Sequence, residues 1–142
     1  MKITVEALVR ADVQSVWTAW NSPDDIKRWN AASVDWHTTR SEVDLRVDGR
    51  QVSRMEAKDG SMGFDFGGTY TRVEPHRLVE LRMDDDRMVT VEFVSSDAGT
   101  TVRESFDAES ENDAEMQRQG WQAILDNFAS YVESGSGRNV PS

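Results

Sequence analysis

The stretch NDAEMQRQGWQAILDNFASYVESG, residues 112 to 135, decides the fold. Met116, Trp121, Ile124, Leu125, Phe128 and Val132 recur at helical spacing, so one side of a long helix is apolar. Asn112 with Glu115 makes a capping-box-like start, and Gly135 supplies the stop. At 1.5 Å per residue such a helix runs about 33 Å, enough to cross a small domain. A helix of that length needs a broad apolar surface to lie on.

The preceding residues supply one. Lys2 to Arg10 reads as a strand with Ile3, Val5, Ala7 and Val9 on one face. Asp12 caps a short helix whose Val13, Val16, Trp17 and Trp20 share a side. Ser22-Pro23-Asp24-Asp25 starts a second short helix, packed down by Ile26 and Trp29. From Ser33 to Phe106 the apolar period changes to two. Val43, Leu45 and Val47 alternate with Asp44 and Arg46, and Asp48-Gly49 predicts a tight hairpin turn into Gln51 to Lys58. Asp59-Gly60 turns into Gly63 to Val73, where Gly67-Gly68 marks a bulge or a close approach. Pro75-His76, Asp84-Asp85-Asp86 and Asp97-Ala98-Gly99 separate three further strands: Leu78 to Met83, Met88 to Val94 and Thr100 to Phe106. The predicted fold is α+β: a curved antiparallel sheet wrapped around a long C-terminal helix, with two short helices after the first strand. This helix-grip arrangement leaves room between helix and sheet. Residues 1–135 read as a single domain and 136–142 as a flexible tail.

The 142 residues, 37% of them hydrophobic, fit one core. A net charge of −10 argues against nucleic acid and against an anionic membrane surface, because both require clustered Lys and Arg. With no cysteine in the chain, disulfides and thiolate chemistry are excluded. The apolar runs are too short for membrane insertion. Met1 to Arg10 lacks the apolar block of a signal peptide, so a cytoplasmic protein is expected, as monomer or homodimer.

Particular stretches carry a resemblance. Asp35-Trp36-His37-Thr38, Asp44 to Gly49, Arg54 to Ser61, Gly63-Phe64-Asp65-Phe66, Gly68-Thr69-Tyr70, Val73-Glu74-Pro75 and Gln119 to Asn127 together resemble the family similar to the C-terminal domain of the heat-shock chaperone ATPase activator. The likeness runs over roughly residues 1 to 133. That family lies in the START-like superfamily, with the birch-pollen allergen and the polyketide cyclases. The resemblance implies a helix-grip fold with an internal cavity. Superfamily members bind lipids, sterols or plant hormones, cyclise polyketides, or assist a chaperone, so no single activity follows.

The chemistry-bearing residues are sparse. His37 and His76 are the two histidines and lack metal-ligand spacing, and no metal or cofactor is expected. His76 sits in a solvated turn, while His37 reads either as a pocket polar group or as a hydrogen-bonded structural residue. Asp84-Asp85-Asp86 lacks the alternation of a calcium loop and reads as a hairpin tip. On the strands, Val43, Leu45 and Val47 need the core, which favours the outer face for Asp44 and Arg46; the same argument covers Glu80, Glu92 and Glu104. Should any strand charge face inward, it could orient a ligand or move a proton.

Trp36, His37, Met55, Phe64, Phe66, Tyr70, Trp121, Leu125 and Phe128 form the candidate lining of an apolar pocket, with a packed core as the competing reading. Gly120, within the helix, is expected to mark a close approach by a strand, ring or ligand. Three functions fit: binding of a small hydrophobic molecule, lipid-like or polycyclic; an interaction module acting on a chaperone; or a cyclase- or hydrolase-like enzyme. Glu56, Asp44 and His37 are the candidate acid–base residues for the last, although orientation and electrostatics alone can drive such chemistry.

Overall fold

A computed structural model describes residues 2–31 and 33–134. The elements run β1 (Lys2–Val9), α1 (Val13–Asn21), α2 (Pro23–Trp29), β2 (Trp36–Val43), β3 (Arg50–Ala57), β4 (Gly63–Glu74), β5 (Leu78–Met83), β6 (Met88–Ser96), β7 (Gly99–Asp107) and α3 (Ala114–Glu133). The seven strands form one antiparallel sheet in the order β1-β7-β6-β5-β4-β3-β2. This is the predicted α+β helix-grip fold. The expected tail from 136 and the stop at Gly135 lie outside the described residues.

The topology explains the two short helices. β1 and β2 are the opposite edges of the sheet, so the chain must cross its whole width between them. Seven strands about 4.8 Å apart would span roughly 29 Å if flat. The nine residues of α1 and seven of α2 rise only about 24 Å together. Curling the sheet brings the edges within that reach. Asp12 caps α1 by accepting a hydrogen bond from the Ser15 amide at 2.7 Å. Ser22 stands at the N-cap of α2 with Pro23 behind it, but its side chain makes no capping bond.

Two bulges produce the curl. The β2–β3 register slips at Thr39 and the β4–β5 register slips at Thr71. Each slip also exchanges the faces. In β4, Phe66 and Tyr70 point inward before the bulge, and Val73 points inward after it. Gly67 and Gly68 lie in unbroken register and serve close approach instead. A Cβ on Gly68 would stand 2.7 Å from the Arg82 carbonyl oxygen. A Cβ on Gly67 would stand 2.9 Å from the Asp84 carboxylate, which reaches across β4 to Arg50 in a bidentate pair at 2.6 and 3.0 Å.

The turn after β2 departs from expectation. The strand stops at Val43, and residues 44 to 49 form a wide loop closed by the Asp44 amide on the Arg50 carbonyl. Leu45 packs on the core, but Val47 is exposed. Asp48 adopts a positive φ of 71° and its amide bonds to Tyr70, so the loop extends the sheet toward β4 rather than forming a two-residue hairpin.

Rings knit the helices to the sheet. Trp20 stacks on Trp29 at 4.8 Å, and both meet Phe128 of α3 edge-on at 4.9 Å. Trp121 stacks on Phe106 of β7 at 3.9 Å. The Trp29 indole donates to the Ala19 carbonyl, and the Asn127 amide donates to the Trp29 carbonyl. Tyr131 donates to the buried Asp25, tying α3 to α2. The α3 cap is Asp113 rather than Asn112, its carboxylate accepting from the Glu115 amide.

No strand or ring closely approaches Gly120. A Cβ there meets nothing within 4 Å, and nothing in the structure explains the glycine. Gly120→Ala is therefore expected to stabilise the protein by about 1 kcal/mol through helix propensity. Urea denaturation of the variant beside the parent measures it, and a loss of stability would contradict the open space seen at this position.

Candidate functional site

α3 lies closest to β1 and α2 lies against β2 at the opposite edge, which leaves space over the middle of the concave face. A cavity of about 340 Å³ occupies that space. Helices α1, α2 and α3 wall it with Trp20, Trp29, Trp121 and Ile124. The sheet floors it with Met55, Phe64, Phe66, Tyr70, Leu81, Val91 and Glu104. The space is partly open to solvent rather than sealed.

Of the nine candidate residues, five line this cavity together: Met55, Phe64, Phe66, Tyr70 and Trp121. Leu125 and Phe128 are fully buried in the packed core and do not reach it. Trp36 and His37 border a separate cleft between α2, the start of β2 and the outer side of α3. The two spaces adjoin where the Trp36 and Phe64 rings lie 5.9 Å apart. This second cleft gathers Lys27, Arg28, His37 and Lys58, with Asp126 as its acidic member.

The candidate acid–base residues lie elsewhere. Asp44 pairs with Arg46 at 2.9 Å in the exposed loop. Glu56 pairs with Arg54 at 3.1 Å and faces out, as His37, its cross-strand partner, does. Glu80 accepts hydrogen bonds from Thr71 and Thr90, outside the sheet. His76 is exposed, with its ring edge against Trp17. Among the described residues no cluster of three or more metal-ligating side chains occurs.

Glu104 reverses the expectation. It points inward, 7% exposed, among the cavity-lining residues. Its neighbours in β7 explain why: Thr100, Val102 and Phe106 are buried in the same phase, while Thr101, Arg103 and Ser105 face out. Across the strands it stands between Val5 and Val91. No hydrogen bond or ion pair joins its carboxyl to any described residue. Burial pushes its pKa up from 4.5 to about 8. The acid is therefore largely protonated at neutral pH.

Part of the remaining polar lining is occupied. Gln117 donates to the Glu109 and Asn112 carbonyls and accepts from the Glu109 amide, stapling the connection before α3. Glu109 accepts from Asn112, and Arg87 donates to Asp85 at 2.7 Å. The Tyr70 hydroxyl and Asn21 Oδ1 are buried without a partner. Burial raises the Tyr70 phenol above its ordinary value.

Glu104 links folding to pH. Its folded pKa lies above the unfolded value, so the folded state holds the extra proton. Stability contributed by the neutral acid is complete below about pH 4.5 and is lost as pH rises to about 8. The full displacement corresponds to roughly 5 kcal/mol. Glu104→Gln, which cannot ionise, should match the parent near pH 4.5 and exceed it by several kcal/mol at pH 8. Calorimetry across that range measures the gap, and a gap independent of pH would refute the assignment.

Comparison with known proteins agrees with the fold. An AHSA1-like protein from Aeromonas hydrophila shares 53% identity, with a TM-score of 0.92, over 100% of this chain and 99% of that one. A protein from Cytophaga hutchinsonii shares 43% identity with a TM-score of 0.82, over 99% and 97%. One from Chromobacterium violaceum, at 22% identity and a TM-score of 0.84 over 94% and 98%, shares the fold. No curated protein matches the chain. The model of the family described as activator of Hsp90 ATPase homolog 1-like protein matches residues 10–133, and the chain belongs to that family.

Proposed function

We propose that this protein binds a small, largely apolar molecule in the cavity between α3 and the sheet. The cavity itself carries the reading: about 340 Å³, walled by rings, beside a core of buried apolar side chains. That volume lies within the range of roughly 300–1,000 Å³ typical of small-molecule sites. The rings that wall it, Trp20, Trp29 and Trp121, are large and rigid, so a flat polycyclic guest loses little freedom of theirs on binding.

Trp fluorescence tests the reading directly, because three of the five tryptophans line the space. A tricyclic aromatic such as phenanthrene should produce a saturable change with a dissociation constant on the order of 10 μM. Ile124→Trp, projecting a larger ring from α3 into the cavity, should weaken this at least tenfold while leaving the melting temperature within a few degrees. Equal binding by the variant, or no saturable response to tricyclics and long-chain fatty acids alike, would end the proposal.

A second reading, action on a chaperone, is favoured by the family match and by the cationic cleft. Lys27, Arg28, His37 and Lys58 cluster there on a chain of net charge −10. Such a patch fits an acidic partner surface. Under this reading, added protein accelerates the ATP turnover of a bacterial heat-shock chaperone, and the Lys27→Glu/Lys58→Glu double variant loses the effect. An unchanged turnover at high protein concentration would dismiss it.

A further inference from the structure

Glu104 is the one carboxyl in the cavity floor that nothing in the fold engages. It is 7% exposed, lies on the central β7 between Val5 and Val91, and faces the space bounded by Trp20, Trp29 and Trp121. The other ionisable groups of the lining are Arg87 from the β5–β6 turn, Glu109 from the connection before α3, and the Tyr70 phenol from β4. Arg87 is held by Asp85 and Glu109 by Asn112. Helices α1, α2 and α3 contribute no ionisable side chain to the lining, and β1 presents Val5 beside Glu104. A packing role is satisfied by valine at the flanking positions, so a carboxyl here needs another partner.

We propose that Glu104 is the recognition group of the cavity and selects, among apolar compounds that fit, those with a carbonyl oxygen placed to accept its hydrogen bond. The inference rests on the apolar-ligand reading and names the polar group that ligand carries. The alternative guest, an ammonium, would form an ion pair. Burying two charges in this largely apolar lining costs more than their attraction returns. A carboxylate guest would meet a second acid, and the cation of the lining, Arg87, already pairs with Asp85. A neutral carbonyl needs only the proton that the acid already holds, and no charge is buried. Above about pH 8 the acid ionises, the donor is lost, and the carbonyl oxygen faces a negative charge. Selection for the carbonyl then disappears.

Three probes of nearly one shape separate the cases: fluorene, 9-fluorenone and 9-aminofluorene, measured by equilibrium dialysis. At pH 6.5, 9-fluorenone should bind roughly tenfold more tightly than fluorene, the worth of one buried hydrogen bond. At pH 9 that preference should vanish. Glu104→Gln, whose amide N–H still donates, should keep the preference at both pH values. Glu104→Leu should bind fluorene and fluorenone alike. Fluorene bound with no preference for fluorenone at pH 6.5 would overturn the proposal and leave the apolar site standing. So would a pH response that persists in Glu104→Gln, or 9-aminofluorene binding tightest with affinity rising toward pH 9. Failure of all three probes to bind the parent protein would overturn both readings.

Discussion

The ring contacts that hold α3 in place decide everything else about this molecule. Trp121 stacks on Phe106, and Phe128 lies against Trp20 and Trp29. Seven residues separate those two anchors, about two helical turns or roughly 10 Å. Large flat side chains at both ends set the distance of the helix from the sheet, as spacers do. The helix follows β1, one edge of the sheet, and reaches toward β4 through the Trp121 ring beside Phe66. The curl that closes the fold then leaves an unfilled volume where smaller or more central anchors would have let helix and sheet collapse together.

The same geometry explains how charge is distributed. Ion pairs crowd the outside of the sheet, among them Arg50 with Asp84, Arg54 with Glu56 and Arg103 with Glu6. All are exposed or half-exposed, and pairs of this kind contribute at most about 1 kcal/mol each. They solvate the outer face and discourage its association with other copies more than they stabilise the fold. Inside, the count is far smaller and each group matters more, because desolvation of a single unpaired acid outweighs several surface pairs.

Element types and order could be read from the residues, because periods of two and of 3.6 leave different marks and turn residues punctuate them. Faces were harder. The two-face argument that puts Asp44 outside, extended to Glu80, Glu92 and Glu104, fails at Glu104. Its own strand said otherwise, since Val102 and Phe106 are in phase with it. The bulges at Thr39 and Thr71 carry no residue-level signal, yet each flips every later side chain on its strand. For the helix, Leu125 and Phe128 share the apolar stripe with Trp121, and the stripe alone does not say which part of it meets packed rings and which meets space. His37 could be taken for a pocket group because its neighbour Trp36 is on the inner side, and adjacent residues of a strand face opposite ways.

The unpaired acid lowers the stability of the fold, and it lies where helix and sheet leave space between them. A chain shaped by packing alone would set an aliphatic side chain at position 104, like Val5 and Val91 on either side, and would draw α3 toward the middle of the sheet. Destabilising features scattered through a structure are ordinary imperfection. An unfilled space and an unbonded polar group at one place are the combination on which the proposed binding of a molecule with an apolar body and one acceptor rests.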